Sequence, residues 1–143
     1  MEKILLAYDG PTNAGAALEE AASHAKAEGA TITVLSVVTP GQEPTRFGTG
    51  PRPQAEDDVA IARARLEELG VQSTSKIVEG DAAEAILAEA RSGGYDLVVT
   101  GSRGRGPVAR LLLGSVSRAV SDVTPCPMLI VTDEHKVRVE PHA

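Results

Sequence analysis

The stretch Leu97-Val98-Val99-Thr100-Gly101-Ser102-Arg103-Gly104-Arg105-Gly106 passes from an apolar run into a glycine-rich segment, which continues to Gly114-Ser115-Val116-Ser117. A short, unbroken apolar run is the pattern of a strand covered on both faces. Glycines directly after it let the backbone turn sharply and approach a ligand with no Cβ in the way. From Gly101 to Arg118 there are four arginines (Arg103, Arg105, Arg110 and Arg118) and no acidic residue, in a chain of formal net charge -6. A local positive island in an acidic protein is a seat for an anion, most simply phosphate.

Strand and helix patterns alternate on both sides of this stretch. Ile4 to Tyr8 is another apolar run, ending in the turn Asp9-Gly10-Pro11-Thr12, where Pro11 or Thr12 suits the first position of a helix. Ala14, Ala17, Leu18, Ala21 and Ala25 share one face of that helix, and Gly29 stops it. Thr31 to Val38 is a β-branched strand. Residues 39–53 hold four of the nine prolines and three glycines, and read as a loop that is either a lid beside a site or an insertion.

Gln54 to Leu69 is predicted as an amphipathic helix with Val59, Ala62, Leu66 and Leu69 inward and acids on the other face. Val71 to Val78 alternates with polar residues as an edge strand does. Asp81 caps the next helix, with Ala83, Ile86, Leu87 and Ala90 inward and Gly93-Gly94 ending it. Tyr95 to Thr100 is the fourth strand, a helix follows Ser115, and Met128 to Val131 is the last strand. The polar residues from Thr132 onward are expected to fray or make a peripheral contact, giving one domain over 1–132 and a tail over 133–143.

Alternating strands and helices imply an α/β fold: a five-stranded parallel sheet with right-handed crossovers and helices on both faces. Ligands bind such sheets outside the carboxyl ends of the strands, where the strand order reverses. If the first strand neighbours the fourth, Asp9 and the Gly101 loop become opposite lips of one crevice.

Composition narrows the chemistry. The chain has 143 residues, 42% hydrophobic and 24% charged, as an ordinary globular domain has. Its aromatic residues are Tyr8, Phe47 and Tyr95, too few for base stacking, and its acidic balance opposes a duplex surface, so no nucleic-acid partner is expected. No signal-peptide pattern and no apolar stretch near twenty residues occurs, so the expectation is a cytoplasmic protein with no membrane partner. Cys126, the one cysteine, reads as a small buried hydrophobe between Pro125 and Pro127.

Three phosphate motifs compete for the glycine stretch. A Walker-type loop needs Gly-Lys-Ser or Gly-Lys-Thr, and no lysine occurs between Lys76 and Lys136. Gly104, Gly106 and Ala109 spell a dinucleotide G-x-G-x-x-A, but Pro107 removes an amide and Asp122 falls in a helix pattern instead of at a strand end. The third pattern is G-x2-G-x9-G-S: Gly101, Gly104, Gly114 and Ser115. Here two glycines let amides converge on phosphate, and Gly114-Ser115 opens a helix whose N-terminus offers unpaired amides.

This pattern, with Asp9-Gly10 after the first strand, Leu112-Leu113-Gly114-Ser115-Val116-Ser117 and the ending Cys126-Pro127-Met128-Leu129-Ile130-Val131, resembles the universal stress protein family. The resemblance runs from Lys3 to Val131 and implies a sheet of order 3-2-1-4-5, like that of the adenine nucleotide alpha-hydrolases. It implies an adenine nucleotide as ligand, ATP with or without magnesium. Ala7, Tyr8, Asp9 and Val37 would then hold the adenine and ribose side, and Gly101, Ser102, Arg103, Gly104, Gly114, Ser115, Val116 and Ser117 the ribose and phosphates. Pro11 stands where the family usually has a serine. The resemblance also implies a homodimer paired through the last strand, with Leu129 and Val131 as exposed edge residues.

No histidine, carboxylate couple or lysine lies beside the glycine loop in sequence, which favours a nucleotide-dependent stress or signalling protein with at most weak ATPase activity. The alternatives are a slow ATP hydrolase or nucleotidyl transferase on the same scaffold, and a nucleotide-free chaperone or scaffold.

Overall fold

The elements in chain order are β1 (Lys3–Ala7), α1 (Pro11–Glu28), β2 (Thr31–Val38), α2 (Pro51–Glu68), β3 (Ser73–Glu79), α3 (Ala82–Gly93), β4 (Leu97–Gly101), β5 (Met128–Val131) and β6 (Lys136–Val139). The structure is a computed structural model that describes residues 2–38, 51–101, 124–131 and 136–141. One sheet contains all six strands in the order β3-β2-β1-β4-β5-β6. The first five are parallel, as the alternation of strand and helix requires, and β6 is antiparallel to β5.

β1 is central and apolar on both faces because each face carries its own core. Ile4 and Leu6 point into one, together with α1, α2, Val34, Val99 and Leu129. Leu5 and Ala7 point into the other, with α3, Leu35, Val98, Met128 and Ile130. This is the period-two alternation of a strand with helices packed above and below. The alanine stripe of α1 is fully used: Ala14, Ala17, Ala21 and Ala25 are all buried, which brings the helix backbone close to the sheet. Gly29 closes α1 in the left-handed conformation with φ 69°, and Asp81 caps α3 by accepting from the Glu84 amide at 3.1 Å.

One carboxylate sets the neighbour relation on which the site depends. Asp96, just before β4, accepts from the backbone amides of Glu2 and Lys3 at 2.7 and 3.0 Å, while its own amide donates to the Lys3 carbonyl at 2.8 Å. Those two amides hold the Asp96 carboxyl below the usual carboxylate range. The start of β1 is thereby locked to the start of β4.

Three sequence expectations need correction. α2 begins at Pro51, three residues before Gln54, because prolines are tolerated in a first helical turn whose amides lack intrahelical partners anyway. Residues 39–50 lie outside the described residues. Second, the segment expected to fray or make a peripheral contact makes the contact, and as a strand, β6: Lys136 reaches Glu20 of α1 at 3.0 Å, and Val139 is buried in the second core. Third, Leu129 and Val131 are 6% and 5% exposed because they pack in the first core, and β6 pairs along the edge of β5 that was expected to be open.

Candidate functional site: the crevice at the carboxyl ends of β1 and β4

The chain leaves β1 toward β2 and returns through β4 on β1's other side, so the strand order reverses between β1 and β4. Ala7 is the last β1 residue and sits opposite both Leu35 of β2 and Thr100 of β4. The next residues, Tyr8, Asp9 and Gly10, therefore leave the sheet beside Gly101, at the same carboxyl end.

The five described site candidates differ in what they can offer. Ala7 is buried in the second core. The Tyr8 amide donates to the Leu35 carbonyl at 2.9 Å, and its side chain is turned into the core under α1. Tyr8 thus braces the β1 turn from behind and leaves its backbone at the carboxyl end of the sheet. Asp9 is exposed, the carboxylate on that turn. Gly101 is half-buried opposite Val131, and Thr100 Oγ1 donates to its carbonyl at 3.3 Å. Val37 is two residues past Leu35 on β2, half-buried on the face that carries Ala7. Ser102, Arg103, Gly104, Gly114, Ser115, Val116 and Ser117 lie outside the described residues.

Gly10 is buried, has φ 115°, and stands at the N-cap of α1 with no side-chain cap. Glycine adopts this conformation at little cost, and residues with a Cβ rarely do. A Cβ built there would lie 3.6 Å from both carboxylate oxygens of Asp58, which brings α2 to the β1 turn. Asp58 is 5% exposed and accepts from Gln54 Nε2 at 3.1 Å. Gln54 is 7% exposed, and its Oε1 is buried without a hydrogen-bond partner.

Sequence reasoning put the acids of α2 on the solvent face and missed this pair. The signal was present: 54, 58, 62 and 66 recur at intervals of four, and Ala62 and Leu66 are fully buried members of the stripe. Polar side chains at the top of a buried stripe mark a place where the helix meets something other than core.

Other features lie elsewhere. An apolar groove between α1 and α2 is lined by Tyr8, Leu18, Ile61 and Arg65, and a broader hollow by Thr31, Arg63, Gly70 and Ser73 lies at the opposite, amino end of the strands. Among the described residues no three His, Cys, Asp or Glu side chains group as metal ligands, and no helix is long and apolar enough to cross a membrane.

The model of the universal stress protein family matches residues 1–132. The chain belongs to the universal stress protein family. A universal stress protein of Bacillus subtilis (strain 168) is 33% identical over 144 residues, covering 90% of this chain and 97% of that protein. A solved family structure from Burkholderia pseudomallei is 30% identical with TM-score 0.67, covering 91% of this chain and 95% of that one. A family protein from Arabidopsis thaliana with AMP bound is 21% identical with TM-score 0.69, covering 92% of each chain. Other structures of the fold are a universal stress protein in complex with cAMP, 24% identical with TM-score 0.67, and one from Archaeoglobus fulgidus in complex with dAMP, 18% identical with TM-score 0.64. At these last three identities the likeness is one of fold. The family match ends at residue 132, before β6.

Proposed function

We propose that this universal stress protein binds an adenine nucleotide, ATP foremost, across the carboxyl ends of β1 and β4, and that bound nucleotide sets its conformation or partner choice in a stress or signalling role. The observation that carries this reading is the reversal itself: the Asp9-Gly10 turn and the Gly101 outlet leave adjacent strands at the same end of the sheet. In this reading the Asp9 carboxylate accepts from the ribose hydroxyls, and backbone amides from Gly101 onward, with those at Gly114 to Ser117, hold the phosphates. Solved structures of the same fold that carry AMP, cAMP or dAMP support an adenine nucleotide as the class of ligand.

Calorimetric titration with ATP and magnesium tests the proposal, and an absence of heat at millimolar nucleotide would sink it. Identification of any nucleotide released on denaturing the purified protein tells ATP from AMP or a cyclic nucleotide. A single-turnover assay of the protein beside a Gly114 substitution decides whether hydrolysis belongs to the function.

A further inference from the structure

We infer that Gln54 is a ligand-contacting residue that selects the nucleoside, its side-chain carbonyl accepting a hydrogen bond from a donor group on it. This inference rests on the nucleotide-binding reading of the crevice.

β2 and β3 are parallel, so α2 runs back between them with its first turn at the carboxyl end of the sheet. Asp58 lies against Gly10, at the β1 turn. Gln54, one turn earlier on the same face, lies about 6 Å nearer the start of α2 and the carboxyl end of the sheet.

The chemistry of the pair fixes which end of the amide is available. Gln54 presents Nε2 to Asp58, donating to Oδ1 at 3.1 Å. That leaves Oε1 as an acceptor of fixed orientation, closed off from solvent and without a donor. Unsatisfied buried acceptors are rare because nothing replaces the lost hydration, and in this inference Gln54 Oε1 is completed by a donor on a nucleotide seated beside the Gly10 turn. On an adenine nucleotide the donors are the exocyclic amine and the ribose hydroxyls. A nucleotide with a carbonyl in place of the amine would set acceptor against acceptor.

The test is equilibrium binding of AMP, inosine monophosphate and dAMP to the wild type, Gln54→Leu and Asp58→Asn, with a thermal melt of each. The wild type is expected to bind AMP about five- to tenfold more tightly than whichever analogue lacks the relevant donor. Gln54→Leu should lose that preference, and should melt lower than the wild type because Asp58 loses this donor. Asp58→Asn, which lets the amide turn over, should shrink it even if Gln54→Leu does not fold. Equal wild-type affinity for all three nucleotides, or a preference unchanged in the variants, overturns the role of Gln54 while leaving nucleotide binding intact; the orphan carbonyl would then bind a buried water only. No binding of AMP by the wild type would remove the underlying reading, and this inference with it.

Discussion

Gly10 joins three demands at one residue: it ends the β1 turn, caps α1 and admits the Asp58 carboxylate. The Cβ of an alanine would meet Asp58 at an ordinary van der Waals distance, so the penalty for Gly10→Ala comes from φ 115° and not from a clash. A loss of about 1–3 kcal/mol is expected in urea denaturation, with weaker nucleotide binding as the turn relaxes. Two carboxylates should make the fold acid-labile. Burial works to raise the Glu89 pKa, but hydrogen bonds from Lys76 at 2.8 Å and Tyr95 at 2.9 Å outweigh it and leave the carboxyl below its ordinary value. Asp96 is lowered in the same direction by the Glu2 and Lys3 amides. A folded-state pKa below the unfolded one contributes stability above the ordinary carboxylate range, and that contribution disappears as pH falls through the folded value. Stability should therefore fall below about pH 4, and Glu89→Gln with Asp96→Asn should flatten that dependence while lowering stability at pH 7. A denaturation series from pH 7 to 3 checks both signs.

α2 connects the core to the β1 turn, because its lower turns bury Ala62 and Leu66 while its first turns bury Gln54 and, beside Gly10, Asp58. Leu66 is fully buried against the first core, and Leu66→Ala should cost about 2–5 kcal/mol through lost burial and the cavity left behind. Chemical denaturation measures that loss; a cost below 1 kcal/mol would mean that the helix repacks freely and cannot hold Gln54 in place. Much of the element level could be read from the chain. The apolar runs of β1 and β4, the β-branched run Thr31–Val38 and the run Met128–Val131 announce strands, and Gly29 and Asp81 mark helix ends by local backbone chemistry. The buried polar pair on α2 was not read, because residues were sorted by polarity and the four-residue spacing that sets 54 and 58 on the stripe of Ala62 and Leu66 was overridden by their chemistry.

The whole sheet is closed on its β5 side by the chain itself. β6 joins through a four-residue antiparallel ladder, the Lys136–Glu20 ion pair and the burial of Val139. Its outward residues Lys136 and Arg138 are exposed charges, a common guard on an edge strand. Ending the chain after Val131 should strip this cover from β5, lower the denaturation midpoint and increase self-association in sedimentation relative to the full chain. A truncated protein as stable and as monodisperse as the full chain would mean that β6 contributes nothing. The α/β class, the strand and helix sequence and the Asp9 and glycine candidates follow from local patterns of hydrophobicity, turn residues and spacing, since those express constraints between near neighbours. The β1–β4 adjacency, which the sequence reading held as a condition, is fixed by long-range pairing and the Asp96 clamp. Leu129 and Val131 look like edge residues until β6 takes the edge, and Gln54 looks like a solvated polar residue until α2 docks on Gly10. Burial and partnership are properties of packing between distant segments, and only the folded chain decides them.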